Sequence, residues 1–227
     1  MNDPLPTLNT DELRVLGSLV EKAVTTPDYY PLTLNSLTLA CNQLSNRDPV
    51  VAFDEPTVVR ALDGLRDKRL ASVFTGAESR VAKYKHNFIE ALQLTPAEVG
   101  LLCVLMLRGP QTLAELRTRT ERFQPFETLT EVEEALQALA MRTPQPLAVK
   151  LPRLPGTKEP RYAHLLAGPI DVASLAFSAT TPPLEPATQA VRLENDRIAQ
   201  LETETTALRA ELAELRRQFA DFRKQFE

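Results

Sequence analysis

One stretch of this chain is written twice, and that constrains its fold more than any other feature. Residues 8–19, LNTDELRVLGSL, resemble residues 94–105, LTPAEVGLLCVL. Asn9 and Thr95 each stand three residues before a glutamate, Glu12 or Glu98. That is the capping-box spacing, in which cap oxygen and carboxylate satisfy each other's free backbone donors. Leu13, Leu16, Leu19 and Val20 then follow at helical spacing in one copy, and Val99, Leu102, Leu105 and Met106 in the other.

The likeness continues downstream. PLTLNSL (31–37) matches PQTLAEL (110–116), a shorter second helix. EPTVVRALDGLRDKRL (55–70) matches LTEVEEALQALAMR (129–142), a third helix. Asp54 with Pro56 opens the first of these, and Thr128 with Glu131 offers a cap for the second. Two strand-like runs close each unit, LASVFT and RVAKYKH around Gly76, then LAVKLP and RYAHLL around Gly156. Tyr84-Lys-His86 recurs as Tyr162-Ala-His164. Three helices and a hairpin form the winged helix-turn-helix plan. The expected fold is therefore mainly α with small β-hairpins, as two tandem winged helix-turn-helix domains over residues 1–90 and 91–168.

A Pro-rich stretch (169–186) reads as a linker, and a heptad follows over 187–227. Its apolar a and d positions are Val191, Ile198, Leu201, Leu208, Leu212, Leu215, Phe219, Phe222 and Phe226. The g–e′ pairs Arg197–Glu202, Glu204–Arg209 and Glu211–Arg216 are opposite in charge, so a parallel coiled-coil homodimer is expected. An amphipathic helix folding back on its own domain is the simpler competitor.

Composition narrows the function classes. The 227 residues carry a net charge of −4, without the overall basic character that drives nucleic-acid binding. Residues 1–90 hold ten basic against twelve acidic residues, and residues 91–168 nine against eight. DNA binding would therefore have to be local. In the first unit Arg60, Arg66, Lys68 and Arg69 lie on or just after the third helix, and Arg80, Lys83 and Lys85 on the hairpin. Asp54 and Glu55 oppose them at the helix start. The second unit's third helix carries Glu127, Glu131, Glu133 and Glu134, which a major groove would repel.

No chemistry-bearing motif stands out. Cys41 and Cys103 are isolated, the two histidines His86 and His164 sit in matching hairpin positions, and no phosphate loop or metal-ligand spacing occurs. The expectation is a non-enzymatic protein without cofactor or metal. The nine-residue apolar run Val99–Leu107 is too short for a membrane span, and no secretory leader opens the sequence, so a cytoplasmic location is expected.

PLTLNSLTLACNQLSNRDPV (31–50) raises a separate question. Leu34, Leu37, Cys41 and Leu44 fall on one helical stripe, and Asn35, Leu39, Asn42 and Asn46 on its neighbour. Asn35, Asn42, Gln43, Asn46 and Arg47 read as a polar seam pinning the following irregular segment, with a surface role in binding phosphate or protein as the alternative.

EKAVTTPDYYPLTLNSLTLACNQLSNRDPV (21–50), LRDKRL, SRVAKYKH and, in the second half, LTPAEVGLLCVLMLRGPQTLAELRTR, EVEEALQALA and PGTKEPRYAHLLAG resemble the YceH-like family of bacterial proteins over residues 8–168. The resemblance implies a tandem winged-helix fold in a cytoplasmic protein, with a variable, often coiled-coil-like tail. It implies no catalytic residues. Two functions stay open: a dimeric DNA-associated regulator, and an adaptor that docks other proteins on its winged helices.

Overall fold

The computed structural model describes residues 6–74, 81–153 and 159–170. These lie in one compact unit. The linker and the heptad positions from Val191 to Phe226 fall outside the described residues, as do Arg80 and the hairpin glycines Gly76 and Gly156.

The described chain is mainly helical with two small antiparallel sheets. In the first repeat, helix α1 (Thr10–Thr25) leads through a 3-10 turn (Pro27–Tyr29) to strand β1 (Leu32–Thr33). Helices α2 (Leu34–Cys41) and α3 (Glu55–Asp67) and the strands β2 (Ala71–Phe74) and β3 (Lys83–His86) follow. Helix α4 (Phe88–Leu92) connects to the second repeat: α5 (Pro96–Arg108), α6 (Leu113–Arg119), α7 (Leu129–Ala140), β4 (Ala148–Lys150) and β5 (Tyr162–His164).

Local chemistry sets these boundaries. Both leading helices open with complete capping boxes, Asn9 with Glu12 and Thr95 with Glu98. Asp54 caps α3 by accepting from the Thr57 N–H, and Thr128 caps α7 by accepting from that of Glu131. A further complete box, Thr112 with Glu115, starts α6. At the end of α3, Arg69 takes φ 59°, and the N–H of Leu70 bonds back to the Leu65 carbonyl, which closes the helix as a left-handed cap.

The equivalence of the repeats extends to register. Ala71 faces His86 and Ala148 faces His164. Leu32 faces Tyr84, and Gln111 makes the matching bridge to Tyr162. Each unit thus ties the residue before the N-cap of its second helix to the tyrosine of its hairpin.

The repeats share a core. Val15, Leu16 and Leu19 of α1 are fully buried, as are Leu101, Leu102 and Leu105 of α5, within one continuous apolar cluster. The apolar run in α5 is therefore a central helix enclosed on all sides. Gly17 makes the α1–α5 approach possible, because a Cβ there would lie 2.9 Å from the Leu107 side chain. Its counterpart in the repeat is Cys103, whose thiol points at the Gly17 carbonyl at 3.4 Å. Matching positions of the two leading helices therefore meet at the crossing. The expected boundary at residue 90 falls inside α4, whose Phe88 and Leu92 are buried in the common core.

Helical spacing places Leu44 on the core stripe of the second helix, but in the structure it is 59% exposed. The helix stops at Cys41, because the Asn42 side chain is used to hold the Phe53 backbone and the chain turns away. Leu37 and Cys41 do lie in the core.

Candidate nucleic-acid interface

The cations grouped by sequence at the end of the first unit separate into bonded and unbonded sets. Lys68 Nζ sits 2.5 Å from both carboxylate oxygens of Glu12, a side chain only 4% exposed. Gly64 leaves room for that carboxylate, since a Cβ there would lie 2.2 Å from Glu12 Oε1. The second repeat has the same contact between Arg142 and Glu98 at 3.4 Å. Lys68 and Arg142 occupy matching positions, so each capping-box glutamate also anchors the end of its third helix. The signal lay in the repeat, in a cation recurring at the third helix's end.

The outward face of α3 is balanced by its own acids. Arg66 pairs with Asp63 at 2.9 Å, and Arg60 donates to the Thr57 hydroxyl at 2.8 Å. Hydrogen bonds from Thr57 hold the Asp54 carboxyl below its ordinary range, so the helix start stays anionic. Arg69 is exposed and makes no ion pair among the described residues.

Lys83 and Lys85 are placed differently. Directly opposed residues of an antiparallel pair share a face. Thr33, Lys83 and Phe74 are therefore one cross-strand row, and Ser72 with Lys85 the next. Leu32, Tyr84, Val73, Ala71 and His86 form the other face. Neither lysine has an ion-pair partner among the described residues, and Phe74 beside them is 43% exposed. The result is a cationic strand face with an aromatic ring on it.

The amide-rich stretch is mostly engaged internally. Asn42 both donates to and accepts from the backbone of Phe53, at 2.8 Å each way. Arg47, 6% exposed, donates to Glu21 at 2.6 and 3.1 Å, to the Ala40 carbonyl at 2.8 Å and to Gln43 Oε1 at 3.1 Å. Arg14 adds a 2.5 Å bond to the Pro49 carbonyl. Buried cations keep their charge at tolerable cost only with such partners. Asn46, at φ 61°, accepts from Arg108 of the second repeat, and the Asp48 N–H bonds the Leu107 carbonyl at 2.9 Å. Asn35 is exposed on α2 and takes no part in this network. Burial pushes the Cys41 thiol up to about 11, which leaves it protonated and unreactive at neutral pH.

The hairpin histidines are both sheltered. The backbone N–H of His86 donates to the Tyr30 hydroxyl at 2.7 Å, and burial lowers the pKa of its ring. Burial takes His164 down to about 4. Each Nδ1 is without a hydrogen-bond partner among the described residues. Those residues contain no group of histidine, cysteine and acidic side chains arranged to hold a metal, and no helix long and apolar enough to cross a membrane.

The family model described as "Protein of unknown function, DUF480" matches residues 8–157. A UPF0502 protein of Opitutus terrae is 56% identical over 208 residues, 92% of this chain and 86% of its own length. A UPF0502 protein of Geobacter sulfurreducens is 56% identical over 201 residues, 88% of this chain and 90% of its own. One from Citrifermentans bemidjiense is 52% identical over 198 residues, 87% of this chain and 88% of its own. The family match takes in nearly the whole double repeat, and the likeness to these relatives runs almost end to end, so the chain belongs to the DUF480 (UPF0502) family of bacterial proteins.

Proposed function

We propose that this is a non-enzymatic, cytoplasmic tandem winged helix-turn-helix protein, dimeric through its heptad tail, that binds DNA with the hairpin of its first repeat. The observation that carries the reading is the face of β3, where Lys83 and Lys85 stand unpaired beside Phe74. Phosphates attract such a face without regard to sequence. In this reading the wing does most of the work. The third helix, with Asp54, Glu55 and Asp63 against Arg60 and Arg66, adds little net attraction.

Fluorescence anisotropy with mixed-sequence duplex DNA tests it. Binding should weaken steeply with salt, and replacing Lys83 and Lys85 together by glutamine should lower the slope of log K against log salt by about 2. No binding at low salt removes the reading. The second reading, a protein adaptor, draws support from the charge-balanced face of α3 and from Leu39, Leu44 and Val50, which are 64%, 59% and 45% exposed. A partner whose capture survives nuclease treatment would favour it.

A further inference from the structure

We propose that the cleft between the two repeats binds a small phosphorylated molecule of about mononucleotide size. The cleft measures about 350 Å3, within the span of roughly 300–1,000 Å3 common for small-ligand sites. Its walls come from the end of α1, the loop after α2, the end of α5, and α6 with the turn beyond it.

Charge is what selects the ligand. Lys22, Arg108, Arg119 and Arg122 line the cleft, against Glu21 and Glu121. Glu21 is already held by both terminal nitrogens of Arg47, a side chain with 0% exposure. Among the described residues Arg119 has only the Glu115 carboxylate at 3.6 Å, and Glu115 also serves Arg161 at 3.2 Å. Among the described residues Arg108 has no carboxylate at ion-pair distance, and it donates instead to Asn46, whose backbone is held in the left-handed region. Arg122 makes no ion pair among the described residues. Burial, and then the like charges of Arg119 and Arg47, lower the pKa of Arg108. A partly buried guanidinium facing its own kind is unfavourable until an anion arrives.

Guanidinium forks match tetrahedral and planar oxyanions in pairs, and several of them around one cavity suit a dianion better than a single carboxylate. Ser45 adds a neutral hydroxyl donor for a remaining phosphoryl oxygen, while the Thr25 and Thr118 hydroxyls are committed to the Glu21 and Ala114 carbonyls. Such a ligand would be held from both repeats, by Lys22 and the loop on one side and by Arg108, Arg119 and Arg122 on the other. The site is separate from the β3 hairpin and stands whether or not that hairpin binds DNA.

Isothermal titration calorimetry on the full chain tests the proposal, with adenosine 5′-diphosphate and inorganic pyrophosphate as probes against sodium chloride of matched ionic strength. Saturable binding of either probe is expected, and each of Arg108→Gln and Arg119→Gln should weaken it about tenfold to a hundredfold. Arg122→Gln, exposed and outside the internal network, gives a second variant whose fold is not at risk and should also weaken binding. The double variant at Lys83 and Lys85 should bind the probes as the parent does. Three results overturn the proposal. One is the absence of saturable heat at low ionic strength. Another is binding undiminished in both Arg119→Gln and Arg122→Gln. The third is displacement of the probe by duplex DNA that Arg119→Gln abolishes, which assigns the cleft to a DNA backbone.

Discussion

The two hairpins share a register and differ in what their cations do. In the second repeat, Lys150 pairs with Glu133 at 3.1 Å and lies 5.5 Å from the centre of the Tyr162 ring, while Arg161 is taken up by Glu115 and by the Pro110 carbonyl. In the first repeat the positions of Glu133 and Lys150 are held by Val59 and Val73, an apolar pair in place of an ionic one. Arg161 corresponds to Lys83, and Glu115, its acceptor, corresponds to Ser36. Lys150 and Arg161 of one hairpin are therefore paired with carboxylates at the surface, while Lys83 and Lys85 of the other make no ion pair among the described residues. A duplicated scaffold can keep a structural copy and release a surface on its twin by exchanging the acid that would have neutralised it, Glu115 for Ser36, and by adding a cation, Lys85 in place of Ala163.

The features the repeats keep in common should cost most to break. Glu12 closes the cap of α1 and binds Lys68 in a nearly dry setting. Removing one partner of such a pair leaves the other without compensation. Glu12→Gln should lose about 3 kcal/mol in urea denaturation. Glu98→Gln should lose less, because the Glu98–Arg142 contact is longer and Arg142 retains the Leu92 carbonyl. Equal losses would mean that the shared contact does not depend on its geometry.

The histidines give the next effect. His164 has a folded-state pKa of about 4, below an unfolded value of about 6.5. A neutral buried ring favours the folded state fully above the unfolded pKa, and that contribution is lost as pH falls through the window down to the folded pKa. Between about pH 7 and pH 5 the protein should lose about 2 kcal/mol from this group. His164→Gln should show a shallower acid dependence whatever its stability at neutral pH. His86, whose pKa is also lowered by burial, is predicted to flatten the curve less when replaced. An unchanged acid profile in His164→Gln would place the titration elsewhere.

Much of this architecture was legible in the sequence because it was stated there twice. Asn9 with Glu12 and Thr95 with Glu98 marked the helix starts, and the Tyr-x-His of each hairpin marked equivalent strand positions, whose register only the structure gives. Local signals of that kind act over a few residues and survive without tertiary context. The division of cations into bonded and unbonded does not. Lys68 meets Glu12 across 56 positions, and Arg161 meets Glu115 across 46. Leu44 misled for a related reason: helical spacing cannot show that Asn42 will leave the helix to bind Phe53. The cleft was hidden as well, since Lys22, Asn46, Arg108 and Arg122 converge only after α1 packs on α5.

The smallest expected effect is the sharpest test of how the hairpins came to differ. Thr33 caps α2 by accepting from the Ser36 N–H, as Thr112 caps α6 by accepting from that of Glu115. Ser36→Glu would place on the first repeat the carboxylate that holds Arg161 in the second. The exchange should complete a capping box and raise stability by about 0.5 kcal/mol. It should also draw Lys83 inward, lowering the salt slope of DNA binding by about 1 and affinity by a few-fold. Anisotropy titrations at several salt concentrations read both quantities. If Ser36→Glu binds with the parent's slope, Lys83 was never free for want of an acid, and the unpaired face of β3 owes its character to Lys85 and Phe74 instead.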